Sequence, residues 1–234
     1  MNNATSHSRD RDDLEVDHGL REYLNKVYGH MSVGIMFTFL VAWWMSSSPE
    51  RLSMIYTPST GSPTMLGWVV MFAPLAFVLI MGIAERISPV ASTALFYLLG
   101  GAMGASMSSI FIIYTGESIA QVFLITSIAF ASLSLWGYTT KKDLSGFGTF
   151  LLMGLIGIIG ASIVNMFMGS TALDFAITII GVLIFAGLTV YDTQRIKTEY
   201  QSGHSHSPIM DALSLYLNFI NLFMMLLRLM GNRK

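Results

Sequence analysis

No cysteine occurs among the 234 residues. That excludes disulfides and thiolate chemistry, whether nucleophilic or metal-binding. Charge is scarce as well: Asp, Glu, Lys and Arg make up 12% of the chain, about half of what a soluble domain carries. A net charge of -1 offers none of the basic excess that marks nucleic-acid binders, so no nucleic-acid partner is expected. The sequence has no Gly-rich phosphate loop, no Ser/His/Asp arrangement and no zinc-binding helix motif. Neither enzymatic activity nor a cofactor is therefore expected. The N-terminal stretch MNNATSHSRDRDDLEVDHGLREYLNK lacks the basic-then-apolar order and the cleavage site of a signal peptide.

Apolar residues fill that space, at 53% of the chain and a mean hydropathy of +0.60. They fall into seven runs, near residues 29–46, 65–84, 90–114, 118–138, 147–168, 175–196 and 210–230. Each is close to the roughly 20 residues that cross a bilayer as a helix. Short loops join them, so consecutive helices are expected to be antiparallel neighbours. The expectation is an all-α integral membrane protein: a polar, disordered cytoplasmic tail over residues 1–20 and one transmembrane domain over 21–234. Leu20, Tyr23, Leu24, Val27 and Tyr28 form an amphipathic lead-in to the first span. Pro74 interrupts the second span. Gly100 and Gly104 in the third have the spacing of a close helix contact, and Gly154, Gly157 and Gly160 share one side of the fifth.

Positive charge orients such a bundle. With the N-terminus in the cytoplasm, Arg9, Arg11, Arg21, Lys26, Arg86, Lys141, Lys142, Arg195 and Lys197 lie inside and only Arg51 lies in an outer loop. The side of the C-terminus is left open, because a re-entrant last helix would reverse it.

Polar residues inside the apolar runs are the candidates for function, since ionisable groups at membrane depth are costly. The last run carries Asp211, Ser214, Asn218, Asn221 and Arg228, spaced 3, 4, 3 and 7 apart, a seam along one helix face. Asp192 closes the sixth run. It is read either as a helix-end carboxylate paired with nearby Arg195, or as a buried group facing the seam, able to respond to pH or to ligate a cation such as Ca²⁺. Asn221 suits an interhelical hydrogen bond, and Asp211 suits an N-cap. His204-Ser205-His206 and Glu117 are weaker candidates for metal or ion contact.

The segments AGLTVYDTQRIK (186–197) and DALSLYLNFINLFMMLLRLMG (211–231) resemble the signature helices of the Bax inhibitor-1 family, and KKDLSGFGTFL (141–151) resembles its loop into the fifth helix. The resemblance implies a seven-helix bundle with the C-terminal helix central, wrapped by the other six. It implies a pH-sensitive calcium-leak channel of the bacterial inner membrane, sensed by an aspartate on each of the last two helices and latched by an arginine on the second. Asp192 matches the first aspartate and Arg86 the arginine, but the second aspartate falls on Asn218, which cannot ionise. The expected replacement is an Asn218 amide donating to Asp192, with Arg86 as its cation. The competing expectation is a non-conducting regulator that binds a membrane protein such as a quality-control protease. An intramembrane aspartyl protease would need a second carboxylate where Asn218 stands.

Overall fold

The computed structural model describes residues 3–204 and 207–234, with the side chains of the first helix from residue 18 onward. Most of the expected tail, residues 1–17, therefore lies outside the described side chains, and so does His206. Among the described residues nine helices follow one another: α1 (Asn3–Ser46), α2 (Pro49–Ile55), α3 (Met65–Ile87), α4 (Pro89–Ser106), α5 (Ile110–Ile113), α6 (Gly116–Thr139), α7 (Ser145–Met168), α8 (Thr171–Gln201) and α9 (Pro208–Met230). Seven segments of the described residues are long and apolar enough to cross a membrane, beginning with His18–Ser46 of α1 and ending with Pro208–Met230.

Local chemistry fixes where the helices start. Thr64, Ser88, Thr115 and Ser170 each accept a hydrogen bond from the backbone N–H three residues on, satisfying donors the helix cannot use. Pro49, Pro89 and Pro208 occupy first-turn positions, where a missing N–H costs nothing. Gly169 ends α7 at φ 61°, the left-handed cap that glycine adopts without penalty.

The third span differs from expectation. It is not one helix over 90–114 but α4 and α5, broken at Met107–Ser109. Ser106 and Ser108 hydroxyls donate back to the Met103 and Ala105 carbonyls, and Tyr56 donates to the Ser106 carbonyl at 2.8 Å. Hydroxyls that compete for backbone groups in this way weaken the helix ladder.

The C-terminal helix is the most buried of the seven. It packs chiefly on α1, α4, α6 and α8, while α3 leans on α4 and α7 leans on α8. The wrapping by six helices is thus four that pack along α9 and two, α3 and α7, that pack mainly on those four. Tyr216 anchors the centre: fully buried, it meets the Thr38 hydroxyl at 2.7 Å, and Thr38 donates to the Gly100 carbonyl at 2.9 Å. The last residues pair with the turn into α6, through Thr115 N–H to the Asn232 carbonyl and Lys234 N–H to the Ile113 carbonyl. Helix α9 starts at the opposite end, so it crosses the bundle, and the chain finishes on the face away from its N-terminal helix start.

With no apolar solvent difference to drive helices together in lipid, close backbone approach matters. A Cβ at Gly104 would overlap the Thr38 carbonyl oxygen, and one at Gly154 would sit 2.9 Å from Ile184 Cδ1. Gly157 and Gly160 face open space, so the glycine row of the fifth span packs only at its first member. Gly104→Val is expected to destabilise by about 1–3 kcal/mol through overpacking. Gly157→Ala is expected to stay within about 0.5 kcal/mol. Thermal unfolding of the purified variants in one detergent compares the two.

Candidate functional site: a carboxylate cluster between the last two helices

Three residues of α8 recur at spacings of 3 and 4, which puts them on one face: Asp192, Arg195 and Glu199. Arg195 Nε reaches Asp192 Oδ1 at 3.2 Å and Nη1 reaches Glu199 Oε2 at 3.0 Å. The guanidinium also crosses to α9, where Nη1 lies 3.6 Å from Asp211 Oδ1 and Nη2 is 3.5 Å from Ser214 Oγ. Asn218 completes the contact, its Nδ2 donating to Asp192 Oδ2 at 2.7 Å. From α1, the Tyr23 hydroxyl donates to Asp211 Oδ2 at 2.6 Å, and the Tyr23 ring packs on Tyr200 with centroids 4.9 Å apart.

Three carboxylates from two helices therefore converge on one guanidinium. The Asp192 side chain is 14% exposed, that of Arg195 21% and that of Asp211 2%. A five-donor fork is the group that can serve several carboxylate oxygens at once. Both oxygens of Asp192 are used, one by Arg195 and one by Asn218, and both oxygens of Asp211 are used, by Arg195 and Tyr23. A short chain of hydroxyls adjoins the cluster: Thr193 meets Ser134 at 2.9 Å, and Ser134 meets Tyr28.

The candidates read from sequence separate into those the structure gathers and those it scatters. Asp192, Asn218, Asp211 and Ser214 come together, and the amide-to-carboxylate bond expected between Asn218 and Asp192 is formed. Arg86 does not join them: it is exposed at the end of α3, and the cation beside Asp192 is Arg195. Its neighbour Glu85 is the residue of α3 that reaches α9, accepting the Ser207 N–H at 3.1 Å. Asp211 is not an N-cap. Ser207 holds that position, and Asp211 lies a turn inside, where Tyr23 and Arg195 claim it. Asn221 makes no interhelical bond through its amide nitrogen, which donates to Leu217 of its own helix at 2.8 Å. Arg228 turns away to the other end, 3.8 Å from Asp174. The seam is thus a cluster at one end only. Among the described residues, no group of three or more His, Cys, Asp or Glu is placed to hold a metal ion, so the assignment of Asp192 as a resident Ca²⁺ ligand gains nothing from its neighbours.

Three members escaped the sequence reading as site residues: Glu199, Tyr23 and Arg195, the last entertained only as a helix-end partner. The 3- and 4-residue spacing from Asp192 was the available signal for Arg195 and Glu199. Tyr23 carried none beyond its place on the buried side of α1.

A family model described as "Inhibitor of apoptosis-promoting Bax1" matches residues 20–234. An uncharacterised protein of Caulobacter vibrioides is 46% identical over 241 residues, covering 99% of this chain and 96% of its own. Inner membrane protein YbhL of Escherichia coli is 44% identical over 224 residues, covering 92% and 94%. An uncharacterised protein of Rickettsia prowazekii is 42% identical over 226 residues, covering 93% and 92%.

Proposed function

Since the chain belongs to the Bax inhibitor-1 family of membrane proteins, we propose that it is a passive, pH-sensitive cation leak of the bacterial inner membrane, with Ca²⁺ as the principal cargo. The observation that carries this reading is the convergence of Asp192, Glu199 and Asp211 on Arg195 between the last two helices. Hard cations bind through oxygen, and those carboxylates with Ser214 are the oxygens a permeating ion would meet. In the proposed resting arrangement Arg195 fills that place as a tethered cation. Ion passage then requires the guanidinium to release at least one carboxylate, and protonating Asp192 weakens its hold from the other direction. Arg195 thus takes the part that the resemblance had given to Arg86. The N-terminus lies in the cytoplasm in this reading, which puts the cluster at the inner surface, and a relative named as an inner membrane protein supports the location.

Ca²⁺ flux into liposomes holding the purified protein, across pH 5–8, tests the proposal, with Asp192→Ala beside Arg86→Ala as the exposed control. Flux above empty vesicles that varies with pH, changes in Asp192→Ala and persists in Arg86→Ala is the expected result. Absence of flux at every pH would remove the leak and leave a non-conducting regulator. Flux indifferent to Asp192 would keep the channel and discard this site.

A further inference from the structure

Helices α1 and α6 both pack on α9 but do not pack along each other. Between them runs a crevice of about 1190 Å³. One end is polar, with Arg21, Asn25 and Tyr138 at the mouth. The other end is apolar, with Phe39, Phe111 and Phe123. We propose that this crevice is a binding site for an anionic phospholipid from the leaflet at the polar end, with its phosphate at Arg21 and an acyl chain lying between α1 and α6.

Charge selects the headgroup. Arg21 lines the mouth, and an arginine fork suits phosphate oxygens. On α8, Lys197 stands 4.8 Å over the ring of Tyr138 and donates to the Tyr138 carbonyl at 2.8 Å. Lys141 and Lys142 follow in the loop after α6. Such basic clusters at the membrane surface attract anionic lipid headgroups.

Shape selects a chain over a helix. The walls are tied together by the Tyr28–Ser134 hydrogen bond. A transmembrane helix, about 10–12 Å across, cannot enter between walls that touch there, whereas an acyl chain passes over the tie. From Arg21 to Phe39 the α1 wall extends about 27 Å at 1.5 Å per residue, close to the ~30 Å hydrocarbon core, so an acyl chain entering beside Arg21 has wall along its whole length. Ala120 and Ala131 on the α6 wall keep the groove open where larger residues would fill it. The proposal stands apart from the conduction reading and does not need it.

The test reconstitutes the full chain in phosphatidylcholine vesicles with a trace of chain-labelled photoactivatable phosphatidylglycerol, or of the matched phosphatidylcholine. Adducts are then mapped on peptides. The phosphatidylglycerol probe is expected to label 31–39 and 120–131 in preference to the phosphatidylcholine probe, and unlabelled phosphatidylglycerol to compete. Arg21→Gln should cut that preference about fivefold, the contribution of one basic group near an anionic surface. Ala131→Phe should suppress crevice adducts of both probes while adducts on the outer face of α7, at Phe150 and Met153, stay constant. Equal labelling by the two probes would mean ordinary boundary lipid and overturn the proposal. So would crevice labelling that ignores Ala131→Phe, or a second copy of the chain cross-linked at Ala120. Arg21 is exposed, so its variant and the competition arm stand even if Ala131→Phe fails to fold.

Discussion

Arg195→Ala is expected to lower the stability of the purified protein by about 3–5 kcal/mol, the cost of removing one side of a buried ion pair. The number is large because one guanidinium serves Asp192, Glu199, Asp211 and Ser214 on two helices. Its loss leaves largely buried carboxylates without their shared cation. Replacing partners together separates that penalty from the worth of the pair itself. Arg195→Met combined with Asp192→Leu is expected to recover only part of the loss: well-packed apolar substitutes for buried ions are often neutral, but Glu199 and Asp211 still lack the guanidinium they share. Thermal unfolding of both variants gives the answer. A single-variant loss under about 1 kcal/mol would show that Arg195 is solvated rather than structural. In vesicles the proposed tethered cation predicts a second effect: Arg195→Ala conducts more than wild type at neutral pH, and equal conduction would remove Arg195 from the gate.

The second large effect is expected from Asn218→Asp. The amide nitrogen of Asn218 stands 2.7 Å from Asp192 Oδ2, so the substitution puts two carboxylates in hydrogen-bond contact. Such a pair holds one proton between its members, and its titration belongs to both. The flux-against-pH curve is expected to move upward by about one pH unit or more. Stability changes with the opposite sense to an ordinary salt-bridged carboxylate. The folded variant holds a proton that the unfolded chain has released, so its stability falls as pH rises through the neutral range. Measuring flux and melting temperature of both proteins over pH 5–8 checks the two together. Coincident flux midpoints would show that Asn218 does not set the response of Asp192.

Much of this was legible in the chain. Runs of about 20 apolar residues marked six of the spans to within about five residues, because the bilayer imposes its thickness on them, while the first span begins at His18 rather than near residue 29. Period 3.6 placed Asp211, Ser214 and Asn218 on one face. What periodicity could not supply was reach. Arg86 and Arg195 both lie near the ends of apolar runs, but the packing of α8 on α9 turns Arg195 into the bundle, while Arg86 lies exposed at the end of α3. Asn221 shares the face of Asn218, yet its amide turns to the Leu217 carbonyl of its own helix. Arg228 lies so far along α9 that it reaches Asp174 at the other end. The break at Met107–Ser109 went unseen because no proline or glycine marks it, only serines whose effect depends on where their hydroxyls turn.

The helix that forms the axis of the bundle follows the other spans in the chain. During synthesis the inner faces of α1, α4, α6 and α8 must wait in the lipid before α9 leaves the ribosome, and Asp192 waits without Asn218. Assembly then resembles a glove closing on a finger that arrives late. A nascent chain cut short before Pro208 lacks this whole axis, including Tyr216 and the residues that pair with the turn into α6.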